Sequence, residues 1–245
     1  MENWERLQKL LDESKKVVFF GGAGVSTESG IPDFRSTDGL YRQTYAYPPE
    51  TILSHSFFER NPEEFFRFYR AKMLCPQAKP NAAHRKLAEL EAAGKLTAVI
   101  TQNIDGLHQA AGSRNVLELH GSVLRNTCMG CGKFYGLEAI LASEGIPRCS
   151  CGGIVKPDVV LYEESLDGDT IARAVRALEQ ADLLIVGGTS LAVYPAAGLV
   201  DYCRGRLVVI NKSPTSLDVK ADLLIQGRIG ETLSHLRVYG IKFAE

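Results

Sequence analysis

Six short apolar runs punctuate this chain: Val17–Phe20, Leu96–Ile100, Val116–Leu119, Leu183–Val186, Leu207–Ile210 and Leu223–Ile225. Runs this short, apolar at successive rather than alternate positions, read as strands buried on both faces. Helical patterns lie between them. Trp4, Leu7, Leu10 and Leu11 have helical spacing, and another helix spans about 80 to 93 before Gly94. Asn61-Pro62-Glu63-Glu64 opens a helix with a capping residue, Pro at the first position and acids in the first turn. Strands alternating with helices predict an α/β fold with a parallel, doubly wound sheet. Residues 122–158 break the alternation, hold four of the six cysteines and read as an inserted module. Residues 32–56, rich in Pro, Gly, Tyr and polar groups, read as a long loop.

At 245 residues there is room for one full domain and a small satellite. A net charge of −1 supplies no global basic field to recruit nucleic acid or an anionic membrane. No apolar run approaches the roughly 20 residues of a membrane span. The N-terminal Met1–Arg6 lacks the basic-then-apolar order of a signal peptide. The expected compartment is the cytoplasm, where thiols stay reduced. The cysteines are therefore read as ligands, nucleophiles or core residues rather than disulfides.

Polar groups collect where the runs end, which is where an open α/β sheet builds its ligand crevice. The first run leads into Gly21-Gly22-Ala23-Gly24, then Ser26-Thr27-Glu28-Ser29, read as the start of a helix. Strand, glycines and helix N-terminus suit a phosphate, and equally suit a plain tight turn. The third Gly of a dinucleotide fingerprint, and its acid about 20 residues on, are missing. A dinucleotide would need another partner for its adenine ribose, and Asn211 and the turn Gly187–Ser190 are placed for that. The second run leads into Thr101-Gln102-Asn103-Ile104-Asp105, two amides and a carboxylate at one strand end. The third leads to His120, either a general base beside the crevice or a structural imidazole. His55, His84, His108 and His235 read as packed or surface residues.

Cys128 and Cys131 form one short-spaced pair and Cys149 and Cys151 a second, with 17 residues between the pairs. Gly130, Gly132, Gly152 and Gly153 supply the turns that let four sulfurs converge. The spacing fits a four-thiolate zinc site, whose closed coordination makes the ion structural. Four reduced thiols without metal are the other reading. Cys75 and Cys203 lack partners and are expected to be buried.

Together, Gly22–Ser26, Gly30-Ile31-Pro32-Asp33-Phe34-Arg35, Thr101–Asp105, His120-Gly121, the two cysteine pairs, Gly188–Ser190 and Asn211 resemble the sirtuins, the NAD-dependent protein-lysine deacylases. The resemblance covers nearly the whole chain, in the family's order. It implies a Rossmann-like doubly wound parallel sheet with a smaller zinc-ribbon plus helical domain. The implied division is 1–35, 77–121 and 159–245 for a discontinuous NAD-binding domain, 36–76 for a cofactor loop and helical insertion, and 122–158 for the zinc ribbon. NAD and an acetyl-lysine protein or peptide would enter the cleft between them.

The resemblance also implies a chemistry. The acyl oxygen attacks the anomeric carbon of the nicotinamide ribose and nicotinamide leaves. His120 then acts as base on a ribose hydroxyl, which attacks the imidate carbon, and water completes the cycle to free lysine and O-acetyl-ADP-ribose. Ala23 and Thr27 would sit at the phosphate turn, Arg35 would meet phosphate charge, and Phe34 would shield the ribose from water. Ile104 and Asp105 would contact the nicotinamide amide, Gln102 a ribose hydroxyl, and Asn103 would orient the ribose or a water. Thr189, Ser190, Asn211 and the backbone near Ile229 would line the adenosine end. Cys128, Cys131, Cys149 and Cys151 would hold one zinc ion.

The substrate peptide would add as a strand between about Val160–Glu164 and Val193–Ala197. There the chain departs from the family's Phe-Gly-Glu and has Tyr162-Glu163-Glu164. The added charge implies a preference for basic residues flanking the lysine. Desuccinylating members carry Tyr and Arg three apart on the small-domain helix. The aligned residues here are Phe66 and Tyr69, which offer a carboxylate no bidentate partner and imply acetyl or a longer neutral acyl over succinyl. Nicotinamide is the expected product and inhibitor, and neither a membrane nor nucleic acid is an expected partner. Two rival functions share the cofactor: mono-ADP-ribosyl transfer to protein, and NAD sensing without catalysis. The presence of Asn103, Asp105 and His120 argues against the second.

Overall fold

The six apolar runs form one parallel sheet. The computed structural model describes residues 2–33 and 47–239. In chain order, α1 (Asn3–Glu13) leads to β1 (Val17–Gly21). Next come α2 (Pro49–Ile52), α3 (His55–Arg60), α4 (Pro62–Lys72), α5 (Ala82–Ala92), β2 (Leu96–Thr101), α6 (Leu107–Ala110) and β3 (Val116–Glu118). The middle of the chain forms β4 (Gly121–Cys128), β5 (Phe134–Tyr135), α7 (Leu137–Leu141) and β6 (Val155–Val159). It is followed by α8 (Gly168–Gln180), β7 (Leu183–Gly187), β8 (Arg206–Asn211), β9 (Leu223–Gln226) and α9 (Ile229–Ser234).

The order across the large sheet is β3-β2-β1-β7-β8-β9. The chain builds outward from β1 to one edge, then returns to the other side of β1 and builds outward again. The loops after β1 and β7 therefore diverge, and a crevice opens at their C-terminal ends. Every residue of β1 is buried, with alternate side chains feeding opposite faces. Val17 and Phe19 join a core with Leu7, Leu87 and Leu233. Val18 and Phe20 join another with Leu178, Leu184 and Val200.

A second sheet, β5-β4-β6, is antiparallel. It does not stand alone. Phe57, Phe58, Phe65, Phe66, Phe68 and Tyr69 of α3 and α4 share one core with Val123, Val155 and Val159 of the sheet. The rings of Phe58 and Phe65 meet edge to face at 5.0 Å. Burying each such ring contributes roughly 1.5–3 kcal/mol, so the helical insertion and the cysteine module fold as one unit.

Two stretches differ from their sequence-based expectation. Ser26–Ser29 does not open an α-helix. Two 3-10 turns, Ala23–Val25 and Thr27–Ser29, fill that space, and Gly30 at φ +84° ends them. Ile31 precedes Pro32, which disfavours helical backbone there. Within the expected loop 32–56, residues 49–52 are helical and a second helix, 55–60, begins. Pro49 takes the first position of α2, and the Ser54 hydroxyl caps α3 by accepting the Phe57 N–H at 3.2 Å. Residues 34–46 lie outside the described residues. Among the described residues no helix is long and apolar enough to cross a membrane.

Candidate active site

Gly21 at the end of β1 is in register with Thr101 of β2 and Gly187 of β7, so three strand-end loops start at one level. The Gly24 N–H donates to the Gly188 carbonyl at 2.7 Å. A Cβ on Gly24 would stand 2.8 Å from the Gly188 Cα, and Gly188 itself sits at φ +60°. Only glycine at both positions allows this approach. The Gln102 N–H donates to the Gly21 carbonyl at 3.0 Å, which seats the β2 loop beside the glycine turn.

β3 delivers His120 to the same place. The Leu119 N–H donates to the Thr101 carbonyl at 2.9 Å. One residue on, His120 Nδ1 meets the Gln102 carbonyl at 2.9 Å. A carbonyl only accepts, so Nδ1 carries the proton and Nε2 keeps its lone pair. Burial holds this imidazole below the usual 6.5. The Val160 N–H donates to the His120 carbonyl at 3.0 Å from the other side. That contact depends on Gly121 at φ +75°, where a Cβ would collide with the Asp158 carbonyl.

The cleft so formed has a volume of about 1070 Å³. Ala23, Thr27, Gln102, Asn103, Ile104, Asp105, His120, Thr189, Ser190, Asn211 and Ile229 all line it. Phe34 and Arg35 lie outside the described residues. Hydrogen bonds tie the lining together. Ser26 Oγ donates to Asp105 Oδ2 at 2.6 Å and accepts from Asn103 Nδ2 at 3.0 Å. Asp105 Oδ1 accepts the Leu107 N–H at 2.9 Å. Gln102 Nε2 donates to Thr189 Oγ1 at 3.0 Å, linking the β2 and β7 loops. The hydroxyls, amides and backbone groups at four strand ends form a donor set suited to the riboses and phosphates of a dinucleotide.

Ser26 is the residue that sequence reasoning missed: read as a helix opener, it is fully buried and joins Asn103 to Asp105. Only its place in the glycine turn hinted at this. Cys75, expected to be buried, is half-buried and lines the cleft, and Cys203 is half-buried as well. His84 and His108 do not reach the cleft lining. They are buried behind it with ring centroids 4.7 Å apart.

The four ligand atoms of Cys128, Cys131, Cys149 and Cys151 lie within 4.8 Å of one another. Cys128 and Cys151 sulfurs are 3.5 Å apart, and those of Cys131 and Cys149 3.6 Å. An ideal zinc tetrahedron has sulfur–sulfur edges of about 3.8 Å, so the set fits one zinc ion. The Cys151 backbone and the Tyr135 hydroxyl, which donates to Cys149 Sγ at 3.0 Å, pull the Cys149 thiol down to about 5.

Val160–Glu164 and Val193–Pro195 line the outer cleft. The Tyr162 N–H donates to Leu53 and its carbonyl accepts the His55 N–H, at 3.0 and 2.9 Å. Glu163 sits at φ +75°. Its carboxylate accepts the Ser56 N–H at 2.9 Å and the Ser56 hydroxyl at 3.0 Å, which hold it below the usual carboxylate range. On α4, Tyr69 lines the cleft and Phe66 does not, though both are buried.

A model of the Sir2 family matches residues 22–195. An NAD-dependent protein deacetylase of Clostridium perfringens (strain 13 / Type A) is 61% identical over 233 residues, covering 93% of this chain and 96% of that protein. A solved complex of Sir2 with a p53 peptide and NAD+ superposes with a TM-score of 0.84 at 42% identity, covering 95% and 96% of the two chains. A Sir2 structure holding the inhibitor EX-527, 2'-O-acetyl-ADP-ribose and deacetylated p53 peptide has a TM-score of 0.82 at 40% identity, covering 94% and 95%.

Proposed function

This chain belongs to the Sir2 family, and from that premise we propose how its own residues carry out NAD-dependent protein-lysine deacetylation. The protein is an NAD-dependent deacetylase that passes the acetyl group of acetyl-lysine to ADP-ribose. Bound NAD supplies the glycosidic bond whose cleavage releases nicotinamide and makes the ribose an acyl acceptor.

The observation that carries the residue roles is the meeting of the β2 loop, the glycine turn and His120 in one cleft. His120 is the base: its Nε2 lone pair is directed by the Nδ1 bond to Gln102 and stays unprotonated at neutral pH. Asn103, oriented by Ser26, positions the ribose or a water. Ile104 and Asp105 receive the nicotinamide amide. Asp105 is held by Ser26 and the Leu107 N–H and keeps acceptor capacity to spare. Gln102 serves a ribose hydroxyl. Ala23 and Thr27 serve the phosphates, together with Arg35, while Phe34 shields the ribose. Thr189, Ser190, Asn211 and Ile229 serve the adenosine end. The cysteine tetrad holds a structural zinc ion, which supports the wall of the cleft and activates no water.

We divide the chain as 1–35, 77–121 and 159–245 for the NAD-binding domain, 36–76 for the cofactor loop and helical insertion, and 122–158 for the zinc ribbon. The separate hydrophobic clusters on the large sheet and on the small unit support the split between the NAD-binding domain and the other two segments, with Val159 and Leu161 joining the small unit's core at the boundary. The peptide lies between Val160–Glu164 and Val193–Ala197. Acetyl or a longer neutral acyl is favoured over succinyl. Arg67 is paired outward with Glu64, and Arg70 donates to Ile140, Ser143 and Gly145. Lys72, which also lines the cleft, already has a partner. Nicotinamide is product and inhibitor, and nucleic acid is not a partner. Four ligating thiols suit a reducing cytoplasm.

Incubating the protein with an acetyl-lysine peptide, with and without labelled NAD, tests the reading by mass spectrometry. Nicotinamide release with label on O-acetyl-ADP-ribose is expected. Label transferred to protein instead would make the activity ADP-ribosylation.

A further inference from the structure

Glu163 carries a side chain at φ +75°, a region that Cβ crowding makes unfavourable for any residue but glycine. The sirtuin pattern has glycine there, so this chain has accepted backbone strain in exchange for a carboxylate. The structure supplies a reason. Both Glu163 oxygens accept from Ser56, one from its N–H and one from its hydroxyl. Ser56 lies in α3, over 100 residues away in sequence and part of the small unit. The next residue does similar work: Glu164 accepts the Leu161 N–H and meets His55 Nδ1, each at 2.8 Å.

These bonds leave an edge open. Among the described residues the Val160 carbonyl and the Glu163 N–H carry no hydrogen bond, and both residues line the cleft. They are the kind of backbone groups that an added strand pairs with. The direction of the Glu163 N–H is set by the backbone conformation that the clasp on Ser56 holds.

We propose that Glu163 is a positioning residue for the substrate peptide. Its grip on Ser56 holds position 163 in the left-handed conformation and keeps the edge Val160–Glu163 ordered for backbone pairing with the extended peptide. This rests on the reading above that the peptide lies against Val160–Glu164.

Four variants separate the contributions. Glu163→Ala keeps Cβ crowding and loses the clasp, whereas Glu163→Gly loses the clasp and relieves the crowding. Glu163→Gln keeps one acceptor oxygen, and Ser56→Ala removes only the hydroxyl donor. Steady-state kinetics with an acetyl-lysine peptide and NAD, checked by thermal unfolding, should give a peptide KM raised about tenfold in Glu163→Ala, the scale of a lost charge-assisted pair. Glu163→Gly and Ser56→Ala should show smaller rises, and Glu163→Gln should stay nearest the wild type. The kcat at saturating peptide and the KM for NAD should hold within about twofold. Hydrogen exchange on the wild type should show residues 160–164 protected by the peptide. No protection there would overturn the peptide seat and the clasp's role together. Protection with an unchanged peptide KM in Glu163→Ala would overturn the clasp alone. A fall in kcat with a rise in both KM values would mean general damage and also overturn it.

Discussion

The imidazole of His120 donates through Nδ1 to the backbone carbonyl of Gln102 at 2.9 Å, so the residue we propose as the base is oriented by the segment we propose for the cofactor. Replacing His120 with Ala should cut kcat by about 100-fold or more, the usual worth of a positioned general base. Burial keeps the group neutral below the usual 6.5. The acid limb of kcat/KM in the wild type should therefore fall below that pH and vanish in the variant. An acid limb unchanged in His120→Ala would remove the histidine from the mechanism.

Asp105 has one oxygen on the Ser26 hydroxyl and the other on the Leu107 N–H. Asp105→Asn preserves the shape, removes the charge and turns an acceptor into a donor. We expect kcat/KM for NAD to drop about 10- to 100-fold, the scale of a charged hydrogen bond, with the peptide KM little changed. Isothermal titration with NAD and initial rates would check it.

The cysteine tetrad should bind one zinc ion per chain. Metal analysis of purified protein should find it, and Cys149→Ala should lose it. The β5-β4-β6 sheet shares its core with α3 and α4, so metal loss should loosen that whole unit. An unfolding midpoint lower by about 10 °C is expected. Activity should fall with it although none of the four cysteines lines the cleft.

Histidines 84 and 108 make stability depend on pH. Burial pushes His84 down to about 4, and pushes His108, further lowered by its neighbour His84, to about 3. The unfolded chain takes up these protons near 6.5 while the folded chain does not. Their contribution is therefore complete above 6.5 and is lost as pH falls toward about 4 and then about 3, at up to about 1.4 kcal/mol per pH unit for each. Thermal midpoints recorded from pH 7 to pH 4 should fall less steeply in His108→Leu than in the wild type.

We expect acyl choice to follow from where the arginines of α4 point. Arg67 and Arg70 are both engaged away from the cleft, so a succinyl-peptide should turn over at less than about a tenth of the acetyl rate, the cost of a carboxylate left without its bidentate partner. The Glu163 charge should favour basic flanking residues only about two- to threefold, because the carboxylate is exposed and already held by Ser56. Competition between peptides differing only in acyl group or flank would measure both.

The sequence alone determined the strands, because a run such as Val17–Phe20 is apolar on both sides and has nowhere to go but the middle of a sheet. It determined the cysteine spacing and, by resemblance, named residues such as Gln102, Asp105, His120 and Thr189 that line the cleft. The tertiary structure decided what periodicity does not encode. Ser26 joins Asn103 to Asp105 across more than 70 residues of sequence. The segment 23–29 became two short turns because close glycine packing against Gly188 and the break at Gly30 left no room for a helix. The helical insertion and the cysteine module merged because neither buries its own apolar face, and Phe65, Phe66 and Val155 do so only together. Glu163, which in sequence is only an added charge, is a strained residue held to Ser56. Local propensity sets the elements, but which side chains meet is set by burial between segments far apart in the chain.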